Sequence, residues 1–279
     1  MTKRILITGA GGFIGTNVLK VLAHEDVELI LVVRGSPREY HHIPRVKEVV
    51  ATSDLFSESE IWWRKRCRGV DAVLHLAWFM EPSSYPHAPQ NLECLVGSIN
   101  LAKAAVAENV KKFIGAGTCF EYEIGSKALS VETPLSPSTL YGASKAALFL
   151  ALSRHFQLTN VDFAWCRLFY LYGREANSNE DSGRLVPYIR RQLLAGLPAL
   201  LTSGEQIRDF MEIEIAAQTL SEIVLGDQVG PVNVCTGSPT TVRELALRIS
   251  LEFDRADLLH FGGRHNDPFN PPYIVGVPN

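Results

Sequence analysis

The sequence has no apolar run approaching the roughly 20 residues that a membrane-spanning helix needs. It also lacks a charged-then-apolar leader with a cleavage site; Met1-Thr2-Lys3-Arg4 run straight into a strand-like segment. These absences read as a cytoplasmic protein. Cysteine is scarce and scattered: Cys67, Cys94, Cys119, Cys166 and Cys235, an odd number without CxxC or other metal-type spacing. Buried, reduced thiols and no metal centre are expected. Neither sign of charge dominates. Lys and Arg number 27 against 30 Asp and Glu, a net charge of −3. That balance argues against a broad nucleic-acid or anionic-membrane surface.

What is present is enough apolar material for a sizeable core: 46% of the 279 residues are hydrophobic and 20% charged. Apolar runs of strand length alternate with amphipathic stretches of helix length. Strands are predicted at Arg4–Thr8, Val27–Val33, Lys47–Ala51, Asp71–Leu76, Lys112–Ala116 and Val161–Cys166. Helices are predicted at Phe13–His24, Ser57–Cys67, Gln90–Glu108 and Tyr141–Phe156. Strands apolar on both faces with helices between them imply an α/β fold, a doubly wound parallel sheet of Rossmann type. After about residue 167 the alternation loosens: helix at Arg184–Ala195 and Glu212–Leu225, strand at Pro231–Cys235, helix at Thr241–Phe253. Residues 1–167 are read as a dinucleotide-binding domain, to which part of 212–235 returns. Residues 168–279 are read mainly as a smaller, substrate-binding lobe over the carboxyl ends of the strands. The proline-rich tail from Asn266 to Asn279 is expected to be irregular.

The first strand runs into Gly9-Ala10-Gly11-Gly12-Phe13-Ile14-Gly15, with a helix after it. Gly9 suits a tight turn, Gly12 a close backbone approach to a pyrophosphate, and Gly15 packing of helix on strand. The helix N-terminus offers N–H groups and partial positive charge to the phosphates. A strand–turn–helix context at the first junction is what a dinucleotide site requires. An Asp or Glu at the end of the second strand would favour NAD(H). This sequence has Val33-Arg34-Gly35-Ser36 there, and Arg38 close behind. Arg34 can pair with a 2′-phosphate through its planar fork and Ser36 can add a hydroxyl, so NADP(H) is favoured, with NAD(H) the alternative.

Tyr141 and Lys145 form a YxxxK pair, on one face of a helix. A neighbouring ammonium favours phenolate, which would bring the phenol toward proton transfer near neutral pH. Thr118 lies just past the fifth strand, at the carboxyl edge of the sheet, where its hydroxyl can bond a substrate oxygen. The order glycine turn, Thr118, Tyr141, Lys145 is that of a redox enzyme's catalytic trio.

On these residues the sequence resembles the extended short-chain dehydrogenase/reductases, the NAD-dependent epimerase/dehydratase group that acts on nucleotide sugars. The likeness spans nearly the whole chain. Thr8–Gly15 matches TGxxGxxG. His75-Leu76-Ala77 matches an HLA step whose backbone passes the cofactor, and Asp54-Leu55 stands where an adenine-contacting acid is usual. Arg167-Leu168-Phe169-Tyr170-Leu171-Tyr172-Gly173 is similar to R-x-F-N-x-Y-G. Arg184-Leu185-Val186-Pro187 and Arg208-Asp209-Phe210 are similar to segments that wrap a nucleotide diphosphate. The resemblance implies Thr118, Tyr141 and Lys145 as catalytic residues. It implies cofactor contacts from Gly9, Gly12, Phe13, Ile14, Gly15, Arg34, Ser36, Asp54, Leu55, Leu76, Ala77, Tyr141, Lys145 and Leu168. Substrate contacts are implied for Trp78, Cys119, Phe120, Tyr170, Arg184 and Arg208. A nucleotide-diphosphate sugar as substrate and a homodimer through Gln90–Glu108 and Tyr141–Phe156 are also implied.

Departures from the family pattern narrow the expected reaction. Nucleotide-sugar dehydratases carry an Asp-Glu pair directly after the catalytic threonine; here Cys119 and Phe120 stand there, which excludes that elimination. Two family asparagines are replaced by Cys94 and Tyr170. Relatives usually continue past a segment like Pro271–Asn279 into a further turn and helix. The segments around Thr118 and Arg167 look most like reductases of 4-keto-6-deoxy nucleotide sugars. A 4-epimerase with tightly held NAD is the alternative, and a non-catalytic cofactor-binding protein a third reading.

Overall fold

The computed structural model describes residues 2–82, 84–173, 184–266 and 270–279. Its first half alternates strand and helix: β1 (Lys3–Thr8), α1 (Phe13–Leu22), β2 (Val27–Val33), β3 (Val46–Ala51), α2 (Glu60–Cys67), β4 (Ala72–His75), α3 (Gln90–Ala107), β5 (Lys112–Thr118), α4 (Leu140–Gln157) and β6 (Asp162–Leu168). Then follow β7 (Tyr170–Tyr172), α5 (Leu185–Leu194), β8 (Ala199–Leu201), β9 (Ile207–Glu212), α6 (Ile213–Leu225), β10 (Gly230–Val234), β11 (Pro239–Thr241), α7 (Val242–Leu251), β12 (Leu259–Phe261) and β13 (Tyr273–Ile274).

Seven strands form one parallel sheet in the order β10-β6-β5-β4-β1-β2-β3. The alternation of strand side chains explains its two cores. Ile5, Ile7, Leu29 and Leu31 point to one face, with Val18 and Leu22 of α1 and Ala217 and Leu220 of α6. Leu6, Ile30, Val32 and Val73 point to the other, with Trp63 of α2, Leu101 of α3 and Leu148 of α4. The chain is a doubly wound α/β fold of Rossmann type. Strand order reverses between β1 and β4, so a crevice opens at their carboxyl ends. No helix among the described residues is long and apolar enough to cross a membrane. All five cysteines are free and buried.

Helix α6 leads back to the sheet and has no basic residue of its own in the last turn. Two lysines from the sheet cap it instead. Lys3 Nζ donates to the carbonyls of Val224 (3.2 Å) and Leu225 (2.9 Å). Lys112, 5% exposed, donates to Ile223 (2.6 Å) and Gly226 (2.8 Å). The otherwise unpaired carbonyls and the negative helix end are both satisfied this way. Burial, and the Lys3 ammonium beside it, hold the Lys112 amine below its ordinary value.

A third apolar cluster joins Val186 and Ile189 of α5, Leu201 of β8, and Leu245 and Ile249 of α7. Beside it β9 pairs with β7, β11 and β13, and β8 pairs with β12. These strands are two to six residues long and pair with partners distant in the chain, so their sequence carries little readable period. The tail also departs from expectation. Tyr273–Ile274 runs parallel to β9, Ile274 and Val275 are buried, and Gly276 bridges to Leu129. Its prolines leave the intervening Tyr-Ile-Val free to pair, and Asp209 accepts from the Gly276 N–H at 3.2 Å. Pro268 lies outside the described residues.

Replacing Lys112 with Met should leave two helix-end carbonyls without their donor and cost about 1–3 kcal/mol. The urea midpoint is expected to fall with the slope of the transition unchanged. An unchanged midpoint would refute the capping role.

Candidate active site

Gly9 has φ +74°, and a Cβ there would stand 2.7 Å from the Ala77 nitrogen. The turn after β1 therefore lies directly on the chain leaving β4. Gly12 N–H closes the turn on the Gly9 carbonyl at 3.1 Å, and a Cβ on Gly15 would meet that same carbonyl at 2.2 Å. Helix α1 starts at Phe13 with no side-chain cap and no acidic residue in its first turn. Its first N–H groups are thus open to an anion, and these features fit a dinucleotide pyrophosphate. The cofactor candidates distribute around this turn. Ile14 and Leu76 are half-buried against the sheet core, as is Leu168 at the end of β6. Arg34 and Ser36 are exposed at the end of β2, and among the described residues Arg34 makes no ion pair. Asp54 caps its own turn, accepting from the Phe56 N–H at 3.0 Å, and Leu55 is buried.

Beneath the turn a buried hydrogen-bond chain crosses three elements. Ala77 N–H reaches Thr8 Oγ1 at 3.3 Å, Thr8 Oγ1 meets His75 Nδ1 at 2.7 Å, and His75 Nε2 meets Ser98 Oγ at 2.8 Å. Ser98 in turn donates to the Cys94 carbonyl at 2.7 Å. With a neutral ring one proton order serves all four contacts: Ser98 donates onward, so His75 donates from Nε2 and accepts from Thr8 at Nδ1. The imidazole is neutral. Burial, with the Lys145 charge adding to it, pushes its pKa down to about 3.

Across the crevice, helix α4 carries Tyr141 and Lys145 on one buried face. Lys145 donates to the Ala116 carbonyl at 2.6 Å and lies 3.7 Å from the Trp78 ring centroid. Burial pulls the Lys145 amine down to about 7, while Glu121 and Cys94 act the other way. Burial pushes the Tyr141 phenol up, with Thr118 opposing. Burial is the largest influence on this phenol, and the neighbouring ammonium turns to Ala116 and Trp78. Tyr141 packs edge-on against Trp78 and Tyr85, and its backbone N–H is bonded to Pro86 O at 3.0 Å.

Thr118 is held at the sheet edge by a capping box over Cys119–Glu121. Its backbone N–H donates to Glu121 Oε1 at 2.8 Å. That carboxylate is fully buried and also accepts from Trp165 Nε1 (3.0 and 3.1 Å) and Arg167 Nε (2.8 Å). Burial pushes Glu121 up; Arg167 and the other donors oppose it. Arg167 continues to the Tyr122 hydroxyl at 3.1 Å, which donates to Asn233 Oδ1 at 2.7 Å. Gly115 and Gly117 are small because a Cβ on either would stand within 2.4 Å of the Trp165 ring.

Cys119 is 1% exposed and its thiol is pushed up to about 12 by burial, so it packs rather than reacts. Phe120 meets Tyr170 edge-on, and burial pushes the Tyr170 phenol up against the pull of Arg208. Arg208 is buried, donating to Ile207 O (2.7 Å) and Asn270 Oδ1 (2.6 Å), with its guanidinium 5.3 Å from the Tyr170 ring. Arg184 lies 4.4 Å from the Phe13 ring, beside the glycine turn. Arg184 also borders a cavity of about 400 Å³ with Tyr188, Arg191, Leu201 and Arg264.

Sequence reasoning missed Glu121, Tyr85, Asn91 and the cavity residues Tyr188, Arg191 and Arg264. Glu121 was findable: Thr118-x-x-Glu121 is a capping-box spacing. Arg264 carries no such local signal, since the β8–β12 pairing brings it to the cavity.

Residues 5–229 match the model of the NAD dependent epimerase/dehydratase family. The chain belongs to that family and is an NAD(P)-dependent oxidoreductase of the extended short-chain type. It is 24% identical over 273 residues to a dTDP-6-deoxy-L-talose 4-dehydrogenase (NAD(+)) of Aggregatibacter actinomycetemcomitans, covering 97% of this chain and 94% of that one. Among solved structures it superposes on a UDP-N-acetylglucosamine 4-epimerase of Methanobrevibacter ruminantium in complex with UDP-N-acetylmuramic acid. The TM-score is 0.86 at 22% identity, over 99% of this chain and 89% of that one. A Thermus thermophilus UDP-glucose 4-epimerase in complex with NAD gives a TM-score of 0.80 at 22% identity, over 99% and 90%.

Glu121→Gln keeps the shape and removes the charge that pairs with buried Arg167. A loss of about 3–5 kcal/mol is expected, seen as a lowered thermal midpoint. A loss no larger than that of a surface Glu→Gln variant would refute the role given to this pair.

Proposed function

We propose that this family member reduces the C4 carbonyl of a 4-keto-6-deoxy nucleotide sugar. The observation that carries this reading is the Thr118–Tyr141–Lys145 edge, intact, with the buried thiol of Cys119 and the ring of Phe120 following Thr118. Neither can act as an elimination acid or base, so the edge is left with proton transfer at a single oxygen. The relative named as a 4-dehydrogenase of a 6-deoxy sugar acts at that carbon.

The bound dinucleotide supplies the hydride. Tyr141 gives its phenolic proton to the developing alkoxide, and its raised pKa keeps that proton in place until the oxygen becomes basic. Thr118 bonds the same oxygen. Lys145 holds positive charge beside both and binds the nicotinamide ribose. The pyrophosphate is held by the turn at Gly9, Gly12 and Gly15. For the nucleotide part we assign residues 168–279 as the main substrate lobe. Arg184, Arg191 and Arg264 are among the residues lining a cavity of about 400 Å³, and arginine is the residue type suited to a diphosphate. Arg208, bonded to Asn270 and beside Tyr170, is the other arginine assigned to the diphosphate. A homodimer through α3 and α4 accords with their exposed Leu92, Val96 and Leu150.

The alternative is a 4-epimerase, which oxidises and re-reduces one carbon. The same trio serves it, and the solved neighbours named above are epimerases. Assaying NADPH and NADH oxidation over a panel of nucleotide-linked 4-keto-6-deoxy sugars separates the two. Net oxidation with a 4-hydroxy product supports reduction; C4 inversion of an ordinary nucleotide hexose without net oxidation overturns it. In the active assay Tyr141→Phe should lower kcat/KM about 10²–10⁴-fold; unchanged turnover would remove Tyr141 as the proton donor.

NADP(H) is the proposed cofactor because Arg34, exposed and without an ion pair among the described residues, ends β2 where an acid would bind a ribose hydroxyl. The talose dehydrogenase is named for NAD(+), so the choice is a direct test of Arg34. Arg34→Asp should weaken NADPH at least about tenfold and favour NADH, since a charge-assisted pair contributes about 1.5–3 kcal/mol. Equal loss for both cofactors would assign the site to NAD(H).

A further inference from the structure

We infer that Trp78 is a positioning residue for the Lys145 ammonium, its indole face holding the cation in register and Asn91 holding the indole. This rests on the reading of Lys145 given above. Lys145 is only 3% exposed. Among the described residues it makes one hydrogen bond, to Ala116 O at 2.6 Å; its Nζ sits 3.7 Å from the Trp78 ring centroid, with Trp165 farther off at 5.9 Å. A desolvated ammonium over an indole face is a strong form of cation–π attraction.

The indole is itself fixed. Trp78 Nε1 donates to Asn91 Oδ1 at 2.7 Å. Asn91 is fully buried, and its amide donates to Tyr85 O (2.7 Å) and Ala88 O (2.9 Å). One side chain thus ties the ring to the segment that carries Tyr85 against Tyr141. Phe56 closes the indole from another side, edge-on at 6.2 Å. The groups facing Lys145 are Glu121 after β5, Cys94 on α3, neutral His75 on β4 and Tyr141 on its own helix. Among the described residues none of these hydrogen-bonds Nζ, so the π face is its second close partner. Burial works to discharge the amine, drawing it down to about 7. The indole works against that and keeps the ammonium present at neutral pH.

The test is the pH dependence of NADH binding, read from nicotinamide emission for wild type, Trp78→Leu, Trp78→Phe and Lys145→Met. NADH lacks the titrating 2′-phosphate. Binding should weaken as Lys145 loses its proton. Leucine keeps the apolar cover and removes the π face, so the midpoint should move down by about one pH unit. Trp78→Phe, a smaller change, should move it the same way by less, and carries the test if the leucine variant does not fold. Lys145→Met should abolish the transition. If Lys145→Met abolishes it and neither Trp78 variant moves the midpoint, or they move it upward, the inference about Trp78 is overturned and the reading of Lys145 stands. If Lys145→Met keeps the transition, the reading of Lys145 falls and the inference with it.

Discussion

The buried carboxylate of Glu121 is the charge around which the sheet edge carrying Thr118 is arranged. It bonds the backbone of Thr118, the indole of Trp165 and the guanidinium of Arg167. An ion pair so deep is held by geometry more than by net attraction, because desolvation offsets most of the Coulomb gain. What it supplies is specificity of position. Thr118 cannot drift along the sheet edge without breaking the bond from its buried N–H to Glu121. Arg167 extends the network through Tyr122 to Asn233, and Asn233 fastens the segment at Leu129 and the tail at Val277. One charge pair therefore couples the reacting edge to the last strand of the sheet and to the C-terminal segment.

The opposite wall of the crevice uses no charge. Thr8, His75 and Ser98 form a neutral relay of fixed proton order that draws the ends of β1, β4 and α3 together. It sets how closely Gly9 lies on Ala77, and so the shape of the phosphate turn. A charged His75 would break the order at Thr8 and repel Lys145, which agrees with the strongly lowered basicity of that ring. The candidate site thus has one half built from the glycine turn and a neutral side-chain relay, and another built around a buried ion pair.

Much of the first half was legible in the sequence. The strand at Val27–Val33 and the helix starting at Gln90 match the expected bounds. Helix α2 begins later than expected, at Glu60, because Ser59 caps it by accepting from the Trp62 N–H. The spacing of Tyr141 and Lys145 required a common helix face. The second half was less legible, since its strands are short and paired across long stretches of chain, as β8 with β12. For the same reason Arg264 gave no sign of sharing a cavity with Arg184.

By itself the sequence determined the parallel α/β architecture, the glycine turn and the tyrosine–lysine pair. Each follows from local period and backbone sterics, which act within a few residues. The tertiary structure alone decided that Glu121 meets Arg167, that Trp78 covers Lys145 and that Asn233 receives the tail. Those contacts join residues far apart in the chain, and packing makes them by burying polar groups that must then find partners. The phenol of Tyr141 is the clearest case. Its helical neighbour was readable at four residues' distance, but the burial that governs its proton belongs to the folded whole.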